Sequence, residues 1–148
     1  MTSASLQTLL GHALKTANPR FTKALMSYSK DTGNWAEDKA TWHIQQAGWT
    51  IVSRNFHCRG GELDIVAVLA NTIAFVEVKF RRSQAMGGAI SSIPPSKQRS
   101  LIRAAQHFLQ ANPKYYQLHG RFDLICVSGR PQGQVELQWL PHIFSLSD

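Results

Sequence analysis

Residues 61–82 read GELDIVAVLANTIAFVEVKFRR, and the fold depends on how this stretch is divided. Two apolar runs, residues 62–68 and 73–80, flank a short break at residues 69–72. Both are rich in Val, Ile and Phe, so both read as strands rather than helix. Successive side chains of a strand point to opposite faces. Leu63, Ile65 and Ala67 are therefore placed on one wholly apolar face with Ala74, Val76, Val78 and Phe80. The other face carries Glu62, Asp64, Glu77 and Lys79 at one end and Val66, Val68, Ile73 and Phe75 at the other.

If the hairpin closes with Leu69 across from Thr72, Asp64 falls opposite Glu77, and Glu62 opposite Lys79. Opposed residues on one face bring their Cβ atoms to roughly 4.5–5.5 Å, and like charges held so close destabilise a sheet. A divalent cation removes the conflict, because carboxylate oxygens are the ligands Mg²⁺ or Mn²⁺ prefers. The bland alternative is a solvated strand face with ordinary charge pairs. It accounts for Glu62 with Lys79 and leaves Asp64 with Glu77 unexplained.

Outward from the hairpin, 148 residues with 43% hydrophobic content suit one domain with a sizeable core. No run approaches the ~18 apolar residues of a membrane span. No basic segment leads into an apolar block at the start, so no signal peptide is expected. Cys58 and Cys126 lack metal spacing and make no disulfide framework, which makes a cytoplasmic location the default. The formal charge is +7, and no acid occurs between Glu77 and Asp123, where Lys79, Arg81, Arg82, Lys97, Arg99, Arg103, Lys114 and Arg121 lie. A long stretch of one sign points to a polyanionic partner, nucleic acid before a membrane surface.

Residues 1–33 read as an N-terminal extension with helical potential at residues 5–17 and again at 21–28, stopping before Asp31-Thr32-Gly33. Asn34 is the expected N-cap of a helix to about Ala47, with Glu37 completing the capping pattern and Gly48 ending it. Glu37 is also in line with Ala40, Ile44 and Ala47, so it borders the apolar stripe and needs a partner there. Residues 49–56 read as a strand, followed by a turn through Gly60-Gly61; paired glycines suit positive φ or close backbone approach to a ligand. Residues 83–95 read as a mobile loop. Ser96 is the expected N-cap of a helix to about Ala111 that buries Leu101, Ala105 and Phe108, with Lys97 on the same stripe and directed toward the hairpin. Its basic first turns, with the free backbone N–H groups of a helix start, suit phosphate. Residues 121–127 read as a buried strand and residues 135–139 as an edge strand. The order α-β-β-β-α-β-β implies a mixed α/β sheet flanked by helices.

A helical Glu37, then Arg54-Asn55, Gly61-Glu62-Leu63-Asp64, Phe75-Val76-Glu77-Val78-Lys79, Lys97 and Arg121-Phe122-Asp123, together resemble the PD-(D/E)xK nuclease superfamily. The likeness is greatest to the YraN-like family of predicted nucleases, similar in turn to archaeal Holliday-junction resolvases. It spans roughly residues 33–129, and one departure is Leu63, where the motif's proline would stand before Asp64. The resemblance implies a restriction-endonuclease-like fold and a single nuclease-like domain over residues 34–148. It implies that Asp64 and Glu77 ligate Mg²⁺ (or Mn²⁺) with the backbone carbonyl of Val78, and that Glu37 acts through water or a second ion. Lys79 would orient or deprotonate the attacking water and stabilise the charged transition state. Arg81, Arg82, Lys97 and Arg99 would hold the nucleic-acid backbone, a role that positions without reading sequence.

The expectation is a metal-dependent endonuclease acting on DNA, more than on RNA, and on branched or structured DNA in particular. A non-catalytic nucleic-acid-binding module of the same fold stays open beside it, and a protein-interaction domain without nucleic acid stands behind both. By analogy with resolvases, a homodimer is conceivable.

Overall fold

The computed structural model of the chain describes residues 19–81 and 93–144, and for residues 19–29 the backbone only. The described residues form α1 (Pro19–Gln46), β1 (Thr50–Cys58), β2 (Gly61–Leu69), β3 (Thr72–Arg81), α2 (Pro95–Ala111), a 3-10 turn at Pro113–Tyr115, β4 (His119–Gly129) and β5 (Val135–Phe144). The strands make one mixed sheet in the order β1-β2-β3-β4-β5. Neighbours are antiparallel except β3 and β4, which are parallel. A parallel pair needs a crossover, and α2 lies in it. The chain divides into two compact units, Met1–Asn34 and Trp35–Asp148; the sheet and its core belong to the second.

Strand β3 alternates between two buried faces, which is why it reads as a near-continuous apolar run. On one face, Val66, Ile73, Phe75 and Phe122 pack with Leu101, Ala104, Ala105 and Phe108 of α2. Those four helical positions have the spacing of a single apolar stripe. Phe108 meets Phe56 and Phe75 edge-on, with centroids 5.4 and 6.2 Å apart, the arrangement that ring quadrupoles favour. On the other face, Ile65, Ala67, Ala74, Val76, Ile125 and Val127 pack with Ala36, Ala40 and Ile44 of α1.

The hairpin has the expected register from Leu69–Thr72 to Ile65–Val76, and then the pairing of β2 with β3 ends. Strand β2 stays with β1 to Gly61, and β3 stays with β4 to Arg81. The sheet forks at Asp64. Glu62 therefore does not face Lys79. It faces His57 across β1–β2, with Nδ1 to Oε2 at 3.1 Å. Leu63 departs too, packing in the α2 cluster rather than with Ile65 and Ala67. The reason lies next door in β1, where Asn55 takes φ 53°. This sends Arg54 toward the acids of α1 and Phe56 toward Phe108 of α2, although they are two residues apart.

Two expected helix starts are also corrected. α1 runs through Asp31-Thr32-Gly33 without a break, so Asn34 caps nothing and Glu37 lies in a helix interior. A lone glycine costs a helix only ~1 kcal/mol, and no proline follows Pro19 until Pro94. α2 begins at Pro95 with Pro94 as its cap residue, and Ser96 lies inside its first turn. A proline in the first turn loses no hydrogen bond. The expected end at Gly48 stands: Gly48 has φ 92°, and its N–H reaches the Gln45 carbonyl at 3.0 Å. The helix expected over residues 5–17 and most of the loop expected over residues 83–95 lie outside the described residues.

Candidate functional site

Asp64 sits where the sheet opens. Its Oδ2 accepts the N–H of Val78 at 2.8 Å, replacing the ladder partner that β3 lost. Glu77, one residue earlier in β3, is buried, with its side chain on the α2 side by alternation from Ile73 and Phe75. From α2, Lys97 reaches it, Nζ to Oε1 at 3.3 Å, so the helix stripe does aim Lys97 at the hairpin. From α1, Glu37 approaches Asp64 closely enough for their charges to interact. Lys79, two residues beyond Glu77 and half-buried, also acts on the Glu77 charge. Three acids and two amines thus converge from β2, β3 and both helices.

Their electrostatics show strain between like charges. Burial, then the neighbouring Asp64 charge, push Glu77 up from 4.5 to about 7, although Lys97 and Lys79 pull the other way. Asp64 is also held above its usual range, chiefly by burial; the Val78 N–H and Lys97 only partly offset this. Glu37 is raised by burial and then by Asp64. Repulsion and desolvation outweigh two lysines, so the cluster lacks positive charge. Glu77 Oε2 and Glu37 Oε2 are both buried without a hydrogen-bond partner. A buried acceptor left unpaired costs ~1–3 kcal/mol, and a hard cation is the partner such oxygens suit. Asp64 and Glu77 are thus two carboxylates of the donor type that Mg²⁺ takes. Among the described residues no group of three or more His, Cys, Asp and Glu is placed to hold a metal ion together.

Two residues support Glu37. Arg54 Nη2 lies 2.8 Å from Asp38 Oδ1 and 3.7 Å from Glu37 Oε2, and the Asn55 side chain hydrogen-bonds Glu37. In the sequence this pair, Arg54 and Asn55, belongs to the resemblance but carries no assigned role. The signal that could have found it is an Asn able to occupy positive φ within an apolar strand. Of the expected backbone-binding residues, Arg99 is exposed, Lys97 is in the site, and Arg81 is half-buried with Nη1 on the Phe80 carbonyl at 3.0 Å. Arg82 lies outside the described residues. The glycine pair does not front an open pocket: Gly60 has φ 92°, and a Cβ on Gly61 would overlap the Ser100 carbonyl of α2.

Arg121 and Asp123, read as structural, form a knot of their own on β4, where Asp123 lies across from Val76. Asp123 is fully buried and accepts from Arg121 Nε and Nη2, Trp139 Nε1 and the His142 N–H at 2.8–3.2 Å. Arg121 also lies over Trp49, 4.8 Å from the ring centroid.

No described helix is long and apolar enough to cross a membrane. Residues 36–127, which hold every carboxylate and lysine of the cluster, match the model of a family described as "Uncharacterised protein family UPF0102". The chain is 41% identical over 120 residues to a UPF0102 protein of Alcanivorax borkumensis, covering 81% of this chain and 96% of that one. It is 40% identical over 123 residues to one of Saccharophagus degradans, covering 83% and 100%. A third, of Stutzerimonas stutzeri, is 40% identical over 119 residues, covering 80% and 98%. With most of its length matched in each case, the chain belongs to family UPF0102.

Proposed function

We propose that this protein is a metal-dependent endonuclease that hydrolyses phosphodiester bonds in DNA, with branched or structured DNA the preferred substrate class, and that its forked sheet is a restriction-endonuclease-like fold. The observation that carries the reading is the approach of Glu37, Asp64 and Glu77 to one another at the fork, beside Lys79 and Lys97, with a buried oxygen on Glu37 and on Glu77 that has no hydrogen-bond partner. A structural ion-pair cluster would balance its charges; this one leaves all three carboxyls raised. A domain that only bound nucleic acid would gain nothing from placing acids next to phosphates.

Asp64 and Glu77 would hold the ion, with the Val78 carbonyl beside them and Glu37 acting through water. When bound, Mg²⁺ supplies positive charge to the phosphate oxygens and acidity toward a water. The chain's residues do the rest. The Val78 N–H fixes the Asp64 carboxylate. Glu77, raised to about 7 without the ion, would give up its proton on taking the ion. Lys79 donates to the attacking water or to the oxygen that gains charge. Lys97, now on Glu77, is free to turn to a phosphate once the carboxylate has a stronger cation.

Purified protein incubated with supercoiled, linear and four-way-junction DNA in Mg²⁺ or Mn²⁺ tests this. Cleavage is expected from the wild type, and none from Asp64→Ala, Glu77→Ala or Lys79→Ala. Firm binding without cleavage of any substrate in either metal would overturn the catalytic reading and leave a binding module.

A further inference from the structure

Beyond the acidic cluster, three exposed arginines lie where the β1–β2 turn meets α2. The turn is docked on the helix: Ser100 Oγ donates to the Gly60 carbonyl at 3.1 Å, and Gly61 lies against the Ser100 carbonyl. The Arg103 side chain covers Gly60, with Nε 3.7 Å from where a Cβ would stand. Arg59 precedes that glycine, and Arg99 lies one turn before Arg103 on the helix. All three arginines are exposed, and none has an ion pair among the described residues. No acid lies between Glu77 and Asp123 to neutralise them, and the nearby Glu62 is engaged by His57. Three like charges are thus gathered by a rigid turn–helix contact with no counter-charge of their own.

We propose that Arg59 and Arg103, with Arg99, form a ridge that carries the phosphate backbone of duplex DNA away from the fork. The helix that carries Arg99 and Arg103 on its exposed side also reaches the site, because Lys97 in its first turn, on the buried stripe with Leu101, contacts Glu77. A strand cut at the fork then crosses α2 and runs over the turn. Duplex is favoured over single strand because single-strand grooves stack bases on aromatic side chains. The exposed aromatics among the described residues, Trp42 and Tyr116, lie on neither the turn nor α2. The proposal rests on the nucleic-acid part of the proposed function and not on cleavage.

The test is the salt dependence of binding of a ~30-base-pair duplex, and of its single strand, by fluorescence anisotropy without metal. Each phosphate contact contributes about −0.9 to the slope of log K against log salt for duplex. Arg59→Gln/Arg103→Gln is expected to make the duplex slope shallower by about 2. Wild type then loses about tenfold more affinity than the variant between 50 and 200 mM salt. Lys39→Gln/Arg130→Gln, the same loss of charge on exposed residues of other elements, is expected to leave the slope unchanged. Circular dichroism melts confirm that both variants fold. An unchanged slope in the arginine variant, an equal change in the control, or a ridge effect confined to single strands overturns the ridge and leaves the nuclease reading standing. A ridge-dependent slope without cleavage supports the ridge and removes the nuclease. No binding by wild type overturns both.

Discussion

Glu77→Gln in metal-free protein is the perturbation that the cluster's electrostatics predict most sharply. In the folded chain Glu77 is 8% exposed, and burial and Asp64 raise it from 4.5 to about 7. A carboxyl raised on folding binds its proton more tightly in the native state, so stability falls as pH rises between the unfolded and folded values. The contribution is therefore fully present below about pH 4.5 and lost by about pH 7. A shift of this size corresponds to roughly 3 kcal/mol. The glutamine side chain copies the protonated form and does not titrate. The variant should thus match wild type near pH 4.5 and exceed it by roughly 3 kcal/mol at pH 8, a difference in Tm of roughly 6–12 °C for a chain of this size. Urea titrations in EDTA, followed by tryptophan fluorescence across pH 4.5–8.5, measure the difference directly; the chain has four tryptophans. Adding Mg²⁺ or Mn²⁺ at pH 8 should then stabilise wild type and leave the variant unmoved, since a ligand that binds only the folded state adds RT ln(1 + [L]/Kd). Two parallel stability curves over the whole pH range would refute the reasoning, because they would mean that Glu77 carries no penalty for a cation to relieve.

Asp64→Asn keeps an oxygen for the Val78 N–H, so the fold should hold within about 1 kcal/mol while Mn²⁺ binding by calorimetry disappears. Asp123→Ala removes an acceptor serving four donors and leaves Arg121 unpaired, 19% exposed; thermal melts should show a loss of about 3–5 kcal/mol. Gly61→Ala drives a methyl group into the Ser100 carbonyl and should cost about 1–3 kcal/mol, with cleavage weakened as well, because Lys97 is on the helix that must shift.

Much of the sheet was legible because local rules and burial agree. The hairpin register could be inferred from the break at residues 69–72, and Ala70, at φ 49°, makes the two-residue turn that this register needs. The stripe of α2 was legible from Leu101, Ala105 and Phe108. What could not be read was where the ladder would stop. Alternation assumes that every residue advances the pleat by the same step, and Asn55 breaks that assumption from a neighbouring strand. Leu63 and Glu62 both lie beyond the point where the β2–β3 ladder stops, on the stretch of β2 that pairs with β1 beside Asn55. The start of α1 was misread for a different reason: Asn34 and Glu37 fit a capping pattern, but a pattern that permits a helix start does not forbid a helix from running through it.

The candidate site was legible for a reason separate from the fold. Opposing Asp64 to Glu77 raised a conflict of charge, and the structure meets it by ending the β2–β3 ladder before that pair and bringing Lys97 to Glu77. Parting lets Asp64 take the Val78 N–H, opens room between the arms, and leaves Glu77 facing α2, where Lys97 meets it. Beyond the fork the β1–β2 turn is docked on α2 through Gly61 and Ser100, which brings Arg103 over Gly60, next to Arg59. The acidic cluster and the arginines of the turn thus flank one interruption in one ladder. If a substitution such as Asn55→Val, which makes positive φ costly, closed the fork, both should fail together: Mn²⁺ affinity and the duplex salt slope would fall in the same variant. Loss of one with the other intact would mean that the two features are held by separate causes, and that the fork is not what joins them.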